Sequence, residues 1–125
     1  MSVTLMAKTA YADPNQPTRT PRDTEYEAFA RVTRRLKQAS NPDAHDFPGL
    51  VSAVHDNRQL WNVLAADVAL PENPLPGELR ARLSYLAAFT RLHSQKILES
   101  KASVDILIEI NTSIMRGLRC EGKPT

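Results

Sequence analysis

The segment VDILIEINTSIMRGL, residues 104–118, has apolar side chains over an unusually wide arc when it is placed on a helical wheel. At about 100° per residue, the large apolar side chains cover roughly 200°, about twice the width of an ordinary amphipathic stripe. Asn111 lies in the middle of this arc, where a side-chain amide is costly unless it is hydrogen-bonded. The pattern therefore predicts either the central helix of a small bundle or a helix with part of its surface reserved for a partner.

Three earlier segments show the same helical periodicity, and no segment shows the alternation of a strand. The predicted helices run from Thr20, as N-cap, to about residue 38; from Phe47 or Pro48 to Ala69; from Pro76 to about Ser100; and from Ser103, as N-cap, to Gly117, as a left-handed end. The proline-rich segment 70–76 must separate the second helix from the third. The fold class predicted is all-α, a small single-domain bundle of about four helices.

The predicted helices divide the chain into three parts. Residues 1–19 contain Pro14 and Pro17 and no apolar period, which predicts an extended or disordered N-terminal arm with Tyr11 as its one anchor. Residues 20–119 form the helical domain, and residues 120–125 form a polar tail. Met6 is a second candidate start site, so the sequence leaves the start at Met1 or Met6 open.

The composition is that of a cytoplasmic protein with one domain. The chain has 125 residues, of which 42% are hydrophobic and 24% charged, with 16 basic against 14 acidic side chains. Cys120 is the only cysteine, which suits a reducing compartment, and no apolar run approaches the roughly 20 residues of a membrane span. We therefore expect a cytoplasmic protein without membrane insertion.

The sequence has no signature of an enzyme. It lacks a glycine-rich phosphate loop, a metalloprotease HExxH pair and a nucleophile elbow. The three histidines, His45, His55 and His93, have no metal-ligand spacing with one another or with Cys120. We therefore expect no enzymatic activity, no catalytic residues, no metal and no cofactor.

Polar side chains interrupt the apolar seams of three predicted helices, at Asn57, at Thr90 with His93, and at Asn111. One interpretation is a mutual hydrogen-bond network that fixes the register of the helices. The other is that Asn57 and Asn111 hold the backbone of a captured segment, since an amide both donates and accepts. Trp61 has the same two interpretations, as an anchor of the core or of a partner groove. The basic residues of the first helix, Arg31, Arg34, Arg35 and Lys37, form either a solvated face or a contact with nucleic acid.

Short motifs follow one another along the chain: Tyr11; Pro21-Arg22-Asp23-Thr24-Glu25 with Phe29 and Val32-Thr33; Asn57-Arg58 with Leu60-Trp61 and Leu64-Ala65; Leu75-Pro76 with Leu79-Arg80-Ala81; His93; and Leu107-Ile108-Glu109-Ile110-Asn111 with Ile114-Met115-Arg116-Gly117-Leu118. In these motifs and in their order, the chain resembles the FlaF family, the small flagellar biosynthesis regulators of alphaproteobacteria. Asp23 stands where that family more usually has Glu, and the N-terminal arm is longer than usual.

The resemblance implies a non-enzymatic role late in flagellum assembly, in the production or secretion of flagellin. Direct binding of flagellin as an export chaperone agrees with the wide apolar arc, because a helical bundle can bind an amphipathic helix in a groove. The candidate partner-binding residues are apolar at Trp61, Ile108, Ile110 and Met115, and polar at Asn57, Arg58, Glu109 and Asn111.

Two alternatives remain open at this stage. The first is a post-transcriptional regulator of flagellin mRNA that acts with the partner regulator FlbT, although a net charge of +2 argues against strong binding of nucleic acid. The second is an adaptor to the flagellar export apparatus. The wide arc of the last helix is also compatible with a homodimer, and the arm is long enough to fold back over a groove.

Overall fold

Four helices form the protein in the computed structural model, which describes residues 21–41, 43 and 45–121. They are α1 (Pro21–Ala39), α2 (Phe47–Val68), α3 (Gly77–Leu98) and α4 (Asp105–Glu121). No strand occurs among these described residues. The all-α prediction is confirmed. The predicted arm, residues 1–19, lies outside the described residues, as do the N-cap Thr20, the side chain of Cys120 and residues 122–125.

Local hydrogen bonds explain where α2 and α4 begin. The carboxylate of Asp46 accepts a hydrogen bond from the Gly49 amide at 2.9 Å, and Pro48 occupies the first turn, where no amide hydrogen is needed. Ser103 caps α4 as predicted, since its hydroxyl accepts from the Asp105 amide at 3.0 Å. Both N-termini thus satisfy backbone amides that the first turn leaves without intrahelical partners.

The predicted left-handed end of α4 at Gly117 is wrong. The helix continues to Glu121, and no described glycine has a positive φ. The reason is Leu118, which follows Gly117 and packs half-buried against the core. Ending the helix at Gly117 would remove that apolar contact, so packing overrides the weak preference of glycine for a helix end.

The end of α3 shows the left-handed conformation at a residue other than glycine. Ser100 has φ 61°, its amide donates to the Ile97 carbonyl at 2.9 Å, and the Lys101 amide donates to the Lys96 carbonyl at 2.8 Å. This pair of hydrogen bonds is a Schellman motif. It turns the chain sharply from α3 into the short connection to α4.

The helices pack in the order α3, α2, α1, α4. Among the described elements, the closely packed pairs are α2 with α3, α1 with α2, and α1 with α4. The core centres on Trp61, which meets Phe29 edge to face with ring centroids 5.8 Å apart, and on Leu36 and Leu107, both fully buried. Among the described helices, α4 is therefore at one end of the packing order, with α1 as its closely packed neighbour.

Replacing Ser100 by Gly should stabilise the protein by about 0.5 kcal/mol, because glycine adopts the left-handed conformation without the Cβ penalty. Urea denaturation measures the change in the free energy of unfolding. The matched control is Ser84→Gly at an exposed position inside α3, where glycine should destabilise by about 0.5–1 kcal/mol. Equal effects at the two sites would contradict the assignment of the motif.

Candidate partner-binding site

A buried hydrogen-bond network joins three of the predicted site residues. The indole Nε1 of Trp61 donates to Asn111 Oδ1 at 2.9 Å, and Asn111 Nδ2 donates to Asn57 Oδ1 at 2.7 Å. Trp61 is 1% exposed, and both asparagines are 0% exposed. Asn111 thus uses its amide once as donor and once as acceptor, which is what makes its burial in an apolar arc tolerable.

The network is smaller than the one the sequence suggested. Thr90 is buried, but within the described residues its hydroxyl has no hydrogen-bond partner. The His93 ring instead stacks on Phe89, with ring centroids 5.4 Å apart, and its Nε2 lies 2.9 Å from the Ser103 carbonyl, to which it must donate. His93 therefore ties the end of α3 to the start of α4 and does not join the asparagines.

The remaining predicted residues lie at or near the surface. Ile108, Ile110 and Met115 are half-buried and pack against the core, whereas Glu109 is exposed and Arg58 of α2 is half-buried. A partner that docks on the closed bundle can reach these five side chains. It can reach the buried Asn57, Trp61 and Asn111 only through their effect on the position of α4.

The half-buried side chains of α4 divide between its two flanks. With Asn111 turned toward the core, helical geometry at about 100° per residue places Ile106, Ile110 and Ile114 on one flank, and Ile108 and Met115 on the other. Each flank must face either α1 or α3, the two neighbours of α4 in a four-helix arrangement. Which flank faces which neighbour depends on the direction in which the helices follow one another around the bundle.

Contacts elsewhere in the bundle fix that direction. Val32 of α1 and Leu60 of α2 line a common groove, which shows the side of α1 that faces α2. Arg80 of α3 donates to the Val68 carbonyl at 3.0 Å, which shows the side of α3 that faces α2. In the resulting arrangement, Ile108 and Met115 lie beside α1, and the other flank of α4 faces α3.

Helices α3 and α4 are not a closely packed pair, and the flanks that they turn toward each other are apolar. On α3, Leu86 and Phe89 lie on the same side as His93, which reaches the start of α4. Five half-buried side chains make up these two flanks: Leu86, Phe89, Ile106, Ile110 and Ile114. Of these, only Ile110 was among the residues predicted from the sequence.

A groove lies between α1 and α2 and has a volume of about 370 Å³. Its floor is apolar, whereas charged side chains stand at its edge. Arg35 forms an ion pair with Asp56 and donates to the Ser52 hydroxyl at 2.9 Å. The guanidinium of Arg35 is thus engaged within the protein, which reduces the positive charge that this face can offer to a phosphate.

Sequence reasoning missed two exposed apolar side chains on α3. Tyr85 is 68% exposed and Leu92 is 66% exposed, the highest values among the large hydrophobic residues described. Both lie outside the four-three seam of α3, because a seam selects the side chains that face the core. Their spacing of seven residues, with Phe89 between them, was the signal available in the sequence.

Comparison with known families now identifies the chain. A sequence model described as the flagellar protein FlaF matches residues 7–118. This chain belongs to the FlaF family. The match covers most of the chain, including α1 to α3 and α4 as far as Leu118. Searches of curated proteins and of solved structures found no match to the chain.

Two further properties of this FlaF protein bear on its possible roles. Within the described residues, no helix is both long and apolar enough to cross a lipid bilayer. The same residues contain no cluster of three or more His, Cys, Asp or Glu side chains arranged to hold a metal ion.

Replacing Asn111 by Leu should cost more stability than replacing Asn57 by Leu. The first change leaves both Trp61 Nε1 and Asn57 Oδ1 without partners and should lower the free energy of unfolding by about 2–4 kcal/mol. The second leaves one donor of Asn111 without a partner and should lower it by about 1–2 kcal/mol. The double variant should be more stable than the sum of the two losses predicts. Urea denaturation of the wild type, the two single variants and the double variant measures the four free energies of unfolding that this comparison needs.

The control for this cycle is Ser113→Ala, an exposed change on the same helix that should alter the free energy of unfolding by less than about 0.5 kcal/mol. Equal costs for the two single variants, or strict additivity in the double variant, would contradict a central role for Asn111.

Proposed function

We propose that this FlaF protein is a cytoplasmic flagellin-binding export chaperone without enzymatic activity or cofactor. Membership of a flagellar family supports the pathway, and the half-buried apolar flank of α4 supports the mechanism. Ile106, Ile110 and Ile114 on this flank are only half-buried, whereas Leu107 beside them is fully buried in the core. An amphipathic helix laid against this flank would remove its apolar surface from water, which is the main driving force of helix-in-groove recognition.

The roles of the predicted residues in this proposal follow from their places in the fold. Ile110 contacts the partner directly, Ile108 and Met115 pack beside α1 and hold in place the helix that carries Ile110, and Glu109 orients polar groups from the exposed side. Asn57, Trp61 and Asn111 act through the network that holds α4 in place. Arg58 lies half-buried on α2 and supplies a positive charge on the side of α2 that faces α3.

The alternative functions have less support from the described residues. Contact with flagellin mRNA, alone or with FlbT, relied on the basic side of α1, where Arg35 is already ion-paired with Asp56. An adaptor to the export apparatus would also use an apolar surface. The identity of the bound partner therefore distinguishes the adaptor from the chaperone. FlbT and the export apparatus therefore enter the experiment as competing ligands.

Calorimetric titration with monomeric flagellin kept from polymerising tests the proposal. We expect one-to-one binding with a dissociation constant of about 1 μM or tighter, a negative heat-capacity change, and little change between low and high salt. Binding that weakens steeply with salt would instead indicate phosphate contacts and RNA. The absence of any complex with flagellin, together with capture of FlbT or an export component, would reject the chaperone mechanism.

Replacing Ile110 by Ala should weaken flagellin binding by about tenfold, because the side chain loses apolar area that the partner buries. Ser113→Ala, one turn along the same helix but outside the apolar arc, is the matched control and should leave the dissociation constant unchanged. Thermal unfolding of both variants reports whether the fold is retained. Wild-type affinity in a folded Ile110→Ala protein would contradict the proposed contact between α4 and flagellin.

A further inference from the structure

Helix α3 carries the two most exposed large apolar side chains among the described residues. Tyr85 is 68% exposed and Leu92 is 66% exposed, and both lie on the side of the helix that points away from the core. Ala81 and Ala88 lie on the same side, four residues before Tyr85 and four residues before Leu92 respectively. Large and small side chains therefore alternate along this side of α3, over about three turns.

Charged side chains of opposite sign stand at the two ends of this side of α3. Glu78 and Lys96 are separated by five whole helical turns, so they lie at the same angle around the helix axis. Both are exposed, and neither forms an ion pair within the described residues. Six residues make up this surface, which we call the α3 outer face: Glu78, Ala81, Tyr85, Ala88, Leu92 and Lys96.

The α3 outer face is complementary in shape to an antiparallel copy of itself. A two-fold axis between residues 86 and 87 brings Tyr85 level with Ala88 of the other copy. The same axis brings Leu92 level with Ala81 of the other copy. Each large side chain then meets a small one, which lets two helices approach closely and interdigitate.

The charges on α3 favour this register over one shifted along the helix. With the axis between residues 86 and 87, Glu78 lies within one residue, about 1.5 Å of helical rise, of Lys96 of the other copy. Two-fold symmetry repeats this ion pair at the other end of the contact. An axis at residue 89 would instead set Arg82 level with Lys96 of the other copy, and like charges would repel. It would also bring Glu78 within one residue of Glu99, with the same effect.

A register that pairs Arg82 with Glu99 of the other copy has less to gain. The Glu99 carboxylate already pairs with Lys101 of its own chain at 3.5 Å through one oxygen. Its other oxygen accepts a hydrogen bond from Gln95 Nε2 at 3.1 Å. Both oxygens are thus engaged within the chain, whereas the carboxylate of Glu78 has no ion pair within the described residues.

We propose that the α3 outer face binds a second copy of this chain, in an antiparallel homodimer whose two-fold axis passes between residues 86 and 87. The inference goes beyond the proposed flagellin contact, which uses α4, and does not depend on it. The contact runs from Glu78 to Lys96, about 27 Å along α3, and a single pair of helices of this length is at the small end of protein interfaces. We therefore expect a reversible dimer with a dissociation constant of about 10–100 μM.

Sedimentation equilibrium of the full chain, from about 1 μM to about 500 μM, measures this dissociation constant. Tyr85→Ala should weaken the dimer at least tenfold, because two large side chains leave the contact. Alanine at this exposed helical position should preserve the fold. The matched control is Val63→Ala, at an exposed apolar site on the α1–α2 groove, which should leave the dissociation constant within about twofold.

A charge swap tests the register of the dimer. Glu78→Lys alone and Lys96→Glu alone should each weaken the dimer about tenfold at low salt, because each change replaces two ion pairs by two contacts of like charge. The double variant restores opposite charges and should return the dissociation constant to within about threefold of the wild-type value. The matched control is Arg91→Glu, an exposed cation of α3 outside the outer face, which should leave it within about twofold.

Three results would overturn the inference. The first is a chain that stays monomeric over the whole concentration range. The second is a dimer that Tyr85→Ala leaves intact while Val63→Ala or Ile110→Ala weakens it, which would place the contact on another surface. The third is a dimer that the charge swap does not restore, in variants whose circular dichroism shows that the fold is retained.

Discussion

The hydrogen bonds of the Asn111 side chain are the constraint from which the rest of the bundle follows. The Asn111 amide lies in an apolar core with both its oxygen and its nitrogen hydrogen-bonded, and the partners are Trp61 and Asn57 of α2. Helices α2 and α4 are not a closely packed pair, so these long side chains span the middle of the bundle. A rotation or a shift of α4 by one residue would break both bonds at once.

The same constraint determines what α4 leaves uncovered. Because Asn111 must face the core, the roughly 200° apolar arc extends well beyond the sector that the core can cover. One flank finds cover against α1, where Ile108 and Met115 pack. The other flank faces α3, which is held near the start of α4 by His93 but does not pack closely along it. The half-burial of this flank is thus a consequence of the network rather than an independent feature.

Most of the fold could be predicted from local patterns in the sequence, because helix periodicity and capping residues act over a few positions. These patterns predicted the four helices, the Ser103 cap and the polar interruptions at Asn57 and Asn111. The end of α4 was not, since burial of Leu118 overrides the preference of Gly117. Such an override depends on long-range packing.

The site was harder to predict than the fold, for a physical reason. Seam positions predict the side chains that face the core. They therefore identified Trp61, which is 1% exposed, as a site residue but did not identify Tyr85, which is 68% exposed. Which flank of α4 faces α3 depends on the direction in which the helices follow one another. No local pattern specifies that direction, and it requires contacts such as that between Arg80 and the Val68 carbonyl.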